Sequence, residues 1–191
     1  MTAARGLLVV IAGPSGVGKG TVHARVRAAL PDAVLSVSAT TRPPRAGETD
    51  GVDYHFVSPQ RFEELLGAGA LLEWATYAGH RYGTPAAPVH DAVAAGSVVV
   101  LDIEVQGALQ VKAQDPGALL VFLVPPSLEE LERRLRGRGT ETDGAIARRL
   151  DRAREELAAA HRFDVRVVND ELDRCVTEVL DAIAAARGGN G

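Results

Sequence analysis

The stretch "LLVVIAGPSGVGKGTV", residues 7 to 22, constrains this chain more than any other. The short unbroken apolar run Leu7 to Ala12 reads as a parallel strand buried on both faces. It leads directly into a glycine-rich turn and then into a segment whose Val22, Val26, Ala29 and Leu30 share one helical face. Gly13, Gly16 and Gly18 free the backbone to wrap N–H groups around phosphate oxygens, the helix amino end adds positive potential, and Lys19 reaches terminal phosphates. Strand, spacing, lysine and helix all agree on a nucleotide phosphate. They specify neither the base nor the acceptor.

One position departs from the common pattern G-x-x-x-x-G-K-[ST]: Gly20 stands where a hydroxyl on the metal ion is usual. Either Thr21 substitutes, or Mg²⁺ is held mainly by nucleotide oxygens, water and a carboxylate elsewhere. Asp102, closing the apolar run "VVVLD", is placed for that task, with a turn-capping aspartate as the plain alternative.

The remaining runs "VVVLDI" (98 to 103), "LLVFLV" (119 to 124) and "VRVV" (165 to 168) repeat the strand pattern, and Leu35 to Ser38 is a weaker fifth. Helical periodicity lies between them. Leu128, Leu131 and Leu135 share a face, and Asn169 or Asp170 is the expected cap of the last helix. Strands alternating with helices predict an α/β fold with a doubly wound parallel sheet. Two inserts break the rhythm: a Pro-, Gly- and aromatic-rich stretch over about 40 to 89, and a helical, arginine-rich stretch over 127 to 154. Two lobes over a phosphate loop imply closure.

The 191 residues suit one domain, and apolar and charged fractions of 46 % and 24 % are those of an ordinary globular chain. The single Cys175 cannot form an intrachain disulfide, and its apolar-periodic surroundings give it a structural role. No apolar run approaches the ~20 residues of a membrane span, so a reducing, cytoplasmic home is the default expectation. A net charge of -4 argues against a nucleic-acid partner. The basic residues are nearly all arginine, only Lys19 and Lys112 being lysine; bidentate phosphate contacts and a G- and C-rich genome both account for that.

Candidates for the acceptor site lie in the first insert. Arg42 and Arg45, three apart with Pro43 and Pro44 stiffening the chain between them, form either a clamp for a phosphate dianion completed by Tyr54 and Tyr82, or a solvated surface pair. Glu73 in "LLEWATY" is a candidate for reading a base: a carboxylate accepts from the N1–H and N2–H₂ of guanine and repels the N1 acceptor of adenine. Glu104 is expected on the same side of its strand as Asp102. An exposed glutamate remains the alternative for Glu73.

Taken together, "GPSGVGKGT", "SATTRPPRAGE", "GVDYHFV", "EWATYAGHRYGT", "LDIEVQG", "PPSLEELERRLRGRGTET" and "VVND" resemble the guanylate kinase family almost end to end. That resemblance implies Mg²⁺-assisted transfer of a phosphoryl group from ATP to GMP, with dGMP as a further acceptor, in a phosphate-loop nucleoside-triphosphatase type of fold. It implies a core (1–37, 90–126, 155–191), a GMP-binding lobe (38–89) and a lid (127–154). Carried over by position, Gly13, Pro14, Ser15, Gly16, Val17, Gly18, Lys19, Gly20, Thr21 and Asn169 would bind ATP. Ser38, Arg42, Arg45, Glu48, Tyr54, Glu73, Tyr82, Thr84 and Glu104 would bind GMP, and Thr21 and Asp102 would be the protein contacts of the metal. Lys19, Arg134, Arg138 and Arg149 would stabilise the transferring group. Arg134 and Arg138 are one helical turn apart, and Arg133, Arg136, Arg148, Arg152 and Arg154 read as solvated or paired with Glu129, Glu130, Glu155 and Glu156. The family usually has Asp where Glu104 stands, so the extra methylene alters the guanine contact or passes it to water. A catalytically silent peptide-binding module and a kinase for another nucleoside monophosphate are the rival readings. A signalling GTPase is disfavoured because no N-K-x-D motif occurs. The five histidines match no metal or triad spacing, and the chain fits a monomer or a homo-oligomer equally.

Overall fold

The computed structural model describes residues 6–77, 79–137 and 142–188. A five-stranded sheet forms the centre, from β1 (Leu7–Ala12), β2 (Val34–Leu35), β7 (Val98–Asp102), β8 (Leu119–Val124) and β9 (Val165–Val168), in the order β2-β7-β1-β8-β9. Every neighbouring pair is parallel. The doubly wound sheet is therefore as expected, although the weak strand is Val34–Leu35 instead of Leu35 to Ser38.

Alternation along β1 explains its unbroken apolar sequence. Leu7, Val9 and Ile11 pack against Val22 and Val26 of α1 (Lys19–Ala29) and Cys175, Val179 and Ile183 of α7 (Leu172–Gly188). Leu8, Val10 and Ala12 pack on the other face against Val89 of α3 (Ala86–Ala94) and Val105, Ala108 and Val111 of α4 (Val105–Gln114). Burying each Val, Leu or Ile side chain contributes about 1.5–3 kcal/mol. Ala29 is exposed, so the buried stripe of α1 is Val22 and Val26 with Leu30 at its edge. Cys175 is fully buried in this layer, and burial pushes its thiol up to about 11.

A second, four-stranded sheet has the order β4-β3-β6-β5, from β3 (Ala39–Thr40), β4 (His55–Phe56), β5 (Leu71–Tyr77) and β6 (His80–Pro85). Its small core is Phe62 of α2 (Pro59–Gly67) with Ala39 and Leu71. The free edge of β5 is covered by α4: Gln110 accepts from Trp74 N–H at 3.1 Å and donates to Trp74 C=O at 3.0 Å, while Gln114 donates to Leu72 C=O. One register irregularity matters below. Leu71 pairs with Pro85 but Glu73 with Thr84, so Leu72 and Glu73 together oppose one residue of β6.

The arginine-rich stretch forms α5 (Leu128–Arg136) and α6 (Asp143–Ala158), joined by their own core of Leu131, Leu135, Ile146, Leu150 and Ala153. Ser127 caps α5 by accepting from Glu130 N–H; Glu129 and Glu130 occupy the first turn and arginines the last, as the helix dipole favours. The cap of α7 differs from expectation. Glu171 accepts from the N–H groups of Asp173 and Arg174, while Asp170 accepts from Glu171 N–H and the Arg174 guanidinium and Asn169 turns to the phosphate loop. No helix among the described residues is long and apolar enough to cross a membrane.

Candidate active site

The loop after β1 is held in shape by glycines that cannot be replaced without strain. Gly18 has φ 97°, in the left-handed region, and a Cβ there would lie 2.6 Å from Asn169 Nδ2; Gly16 has φ 90°, and its Cβ would meet Leu135 at 2.8 Å. Val17, fully buried, anchors the turn and accepts at its carbonyl from Asn169 Nδ2 at 2.7 Å and Arg134 Nη1 at 3.2 Å. The first N–H groups of α1 have no intrahelical acceptor and face the loop, the arrangement that favours an anion. A Cβ at Gly20 meets nothing within 4 Å among the described residues, so packing does not forbid a hydroxyl there.

Above the loop opens a cavity of about 730 Å³, whose wall includes Pro14, Ser15, Lys19, Gly20 and Thr21 on one side and Arg148, Arg149, Arg152 and Glu156 of α6 on the other. Lys19 Nζ lies 3.1 Å from Asp102 Oδ1 and 3.4 Å from Ile103 O. The parallel register of β1 and β7 sets this pair, since Ile11 lies beside Asp102 and both strands end at the loop. Asp102 and Thr21 are hard oxygen donors at this end of the sheet. No group of three or more His, Cys, Asp or Glu converges into a metal cage among the described residues.

A smaller cavity of about 200 Å³ adjoins the first, for Tyr77 and Glu104 line both. Ser38, Tyr54, Glu73, Tyr82 and Asp102 complete its polar wall. Glu73 is only 6 % exposed. The β5 irregularity sets it opposite Thr84, whose hydroxyl donates to Glu73 Oε1 at 2.6 Å. Gly107 backs the other oxygen: a Cβ there would lie 2.7 Å from Oε2. Burial pushes the Glu73 carboxyl above the usual glutamate range, against the hydrogen bonds from Thr84.

Arg42 is buried, and Glu48 holds it bidentately, Nη1 to Oε2 at 3.0 Å and Nη2 to Oε1 at 2.8 Å. Its guanidinium also lies 5.5 Å from the Tyr54 ring centroid and donates to Pro43 O. The Arg42 hydrogen bonds hold Glu48 below the usual carboxylate range, assisted by Arg45 N–H at 2.7 Å. The fork that Glu48 occupies is the geometry a phosphate would demand. The Arg45 side chain stays exposed beside it.

The arginines of α5 and α6 are placed differently from the sequence expectation. Arg134 does not stand over the loop opening: it donates to Val17 O, to Asn169 O at 3.0 Å and to Glu130 Oε1 at 2.8 Å, tying α5 to the loop and to the end of β9. Together Arg133 and Arg134 hold Glu130 down to about 2. Arg149 lines the large cavity, and Arg138 lies outside the described residues. Arg133 pairs with Glu130 and Arg152 with Glu156, as expected, whereas Arg154 pairs with Asp151 and Arg136 with Glu132 and Asp143.

Glu104 also departs from the strand argument. β7 ends at Asp102, so Glu104 sits at the N-cap of α4, where its Oε2 accepts from Arg152 Nη2 at 2.5 Å. Arg152 Nε donates in turn to Glu156 Oε1 at 3.2 Å. The cavity positions of Arg148 and Glu156 and the contact at Gly107 were not singled out from sequence. The i, i+4, i+8 spacing of 148, 152 and 156 is the signal that would have marked the first two as one helical stripe.

A glycine loop between a buried parallel strand and a helix, a lysine at its end, and a second polar cavity alongside define a phosphate-loop α/β fold built for two neighbouring ligands. The guanylate kinase family model matches residues 5–186, and the chain belongs to that family. It is 59 % identical over 172 residues to a guanylate kinase of Gloeobacter violaceus, covering 90 % of this chain and 84 % of that one. It is 54 % identical over 178 residues to a guanylate kinase of Thermosynechococcus vestitus, covering 93 % of each. The crystal structure of guanylate kinase from Anaplasma phagocytophilum superposes with a TM-score of 0.73 at 29 % identity, over 97 % of this chain and 88 % of that one.

Proposed function

We propose that this chain transfers the γ-phosphoryl group of ATP to the 5′-phosphate of GMP, and also of dGMP, giving ADP and the nucleoside diphosphate. The observation that carries this reading is the junction of two cavities across Glu104 and Tyr77, one floored by the phosphate loop and the other read by the buried Glu73. Membership in the guanylate kinase family supports the same pair of substrates.

In this reading the loop from Gly13 to Thr21 holds the ATP phosphates, and Asn169 borders the adenine end. Stretch 38–89 is the GMP lobe, in which Arg42 and Arg45 with Tyr54 and Tyr82 take the GMP phosphate. Glu48 orients Arg42, and Ser38, Glu73 and Thr84 read guanine, with Glu104 at the edge. Stretch 127–154 is the lid, in which Arg149 and Arg138 would stabilise the transferring group, while Arg134 fixes the lid base to the loop. A GMP phosphate oxygen attacks the γ-phosphorus in line, the bond from γ-phosphorus to the β,γ-bridging oxygen breaks, and ADP leaves with that electron pair. Lys19 and the arginines hold the charge that spreads over the equatorial oxygens. Closure of the lobes excludes water, which would otherwise take the phosphoryl group. Asp102 and Thr21 would be the protein contacts of Mg²⁺, most of whose ligands come from ATP and water. The ion supplies charge neutralisation and phosphate alignment. The place of the reaction is purine nucleotide recycling in the cytoplasm.

The test is ADP formation from MgATP with GMP, dGMP, AMP and UMP in parallel. The reading expects turnover with GMP and dGMP alone. Strong turnover with AMP and none with GMP refutes the base assignment, and no turnover with any acceptor favours the silent binding module.

A further inference from the structure

We infer that Arg152 is a positioning residue that couples the two nucleotide pockets through Glu104, so that filling one pocket changes affinity in the other. This rests on the proposed function above. Three features of the geometry lead to it.

First, Glu104 is shared property: it lines both cavities, and it stands at the start of α4, one turn before the Gly107 that backs Glu73. Second, its carboxylate is bound across 48 residues of sequence by Arg152 of α6, at 2.5 Å. The reach depends on glutamate. An aspartate, shorter by one C–C bond of about 1.5 Å, would leave the guanidinium beyond hydrogen-bond range. Glu104 and Arg152 therefore make one device. Third, Arg152 also fixes Glu156, whose other oxygen is buried with no hydrogen-bond partner among the described residues and which lines the same cavity as Lys19. Arg152 thus sets the position of one carboxylate in each pocket. It sits on the same helix as Arg148 and Arg149, so a shift of Glu104 on acceptor binding is passed to the arginines facing the phosphate loop.

A bystander arginine that only balanced charge would change both affinities by fixed factors. A strut changes the ratio between them. The measurement is the GMP dissociation constant by calorimetry, with and without the β,γ-imido analogue of ATP plus Mg²⁺, for the unmodified protein, Arg152→Ala, Glu104→Asp and the double variant. The analogue is expected to tighten GMP binding in the unmodified protein. Each single variant is expected to shrink that tightening by about 3- to 10-fold, and the double variant by no more than either one. Both side chains are about half exposed, so melting temperatures should move by only a few degrees. Unchanged coupling in Arg152→Ala overturns the inference, as do additive effects of the two substitutions or an unmodified protein that binds GMP without regard to the analogue. An unmodified protein that binds no GMP overturns the proposed function as well.

Discussion

Replacing Glu73 by Gln tests the proposed guanine reader with almost no change in shape. In the structure Glu73 Oε1 already accepts from Thr84 at 2.6 Å, and Oε2 is pressed against Gly107, so the side chain has little room to swing aside. An ionised carboxylate has lone pairs for Thr84 and for both guanine donors, N1–H and N2–H₂. The amide has one oxygen. If that oxygen keeps Thr84, an NH₂ group faces the guanine donors; if it turns to guanine, the hydroxyl loses its acceptor. A hydrogen bond to a charged group is worth about 1.5–3 kcal/mol. With a donor opposing a donor the upper half of that range applies, and about 2–3 kcal/mol corresponds to a fall of about 30- to 150-fold in kcat/KM for GMP. Stability should hold or rise, because the substitution removes a carboxylate that is only 6 % exposed. The assay is initial-rate ADP formation at varied GMP, with a melting curve on the same sample. A fall of less than about threefold in a folded protein refutes the assignment of Glu73 as the base reader.

Gly107→Ala should act on the same carboxylate from behind: the new Cβ would lie 2.7 Å from Glu73 Oε2, so KM for GMP should rise by about tenfold. Helix propensity favours the alanine by about 1 kcal/mol and offsets part of the crowding, so a melting temperature lowered by no more than a few degrees alongside the raised KM separates a local push from unfolding. Lys19→Ala removes the ammonium at the loop and the partner of Asp102. Its kcat should fall by at least about 100-fold while the far-ultraviolet dichroism stays the same. GMP affinity should fall with acidification. Burial raises the Glu73 pKa, so the binding-competent carboxylate is complete above that raised value and is lost as pH drops through it, beginning at a higher pH than for a free glutamate at 4.5. Calorimetric titrations carried toward acid pH should show this early loss of affinity in the unmodified protein, and Glu73→Gln should lack the Glu73 contribution to it.

Much of the scaffold was legible in the chain. β1 and β8 coincide with their apolar runs, and β7 with all but the last residue of its own, because a strand covered on both faces leaves an unbroken hydrophobic signature; the edge strand β9 also coincides with its run, although only Val167 in it is buried. The phosphate loop was legible for a similar reason: glycine at 16 and 18 answers a backbone requirement that acts within a few residues. Helix caps were less readable. Asn169 and Asp170 are both suitable cap types, yet Asn169 is drawn to Val17 and the cap falls to Glu171.

The sequence by itself determined the order of strands and helices, the loop between β1 and α1, and which residue types were available for a polar cavity. Such patterns report how a residue stands relative to its own element. Tertiary structure alone decided which of them meet. Packing of β5 on β6 with one extra residue turns Glu73 to Thr84; the end of β7 at Asp102 releases Glu104 from the strand and leaves it within reach of Arg152; and the docking of α5 commits Arg134 to Val17 and Asn169. The contacts of Glu104 and Arg134 join segments far apart in the chain, and Glu73 meets Thr84 across a hairpin whose register is shifted, so no local periodicity carries the information. They exist because burying the apolar faces of the helices and strands sets the distances between polar groups that happen to ride on them.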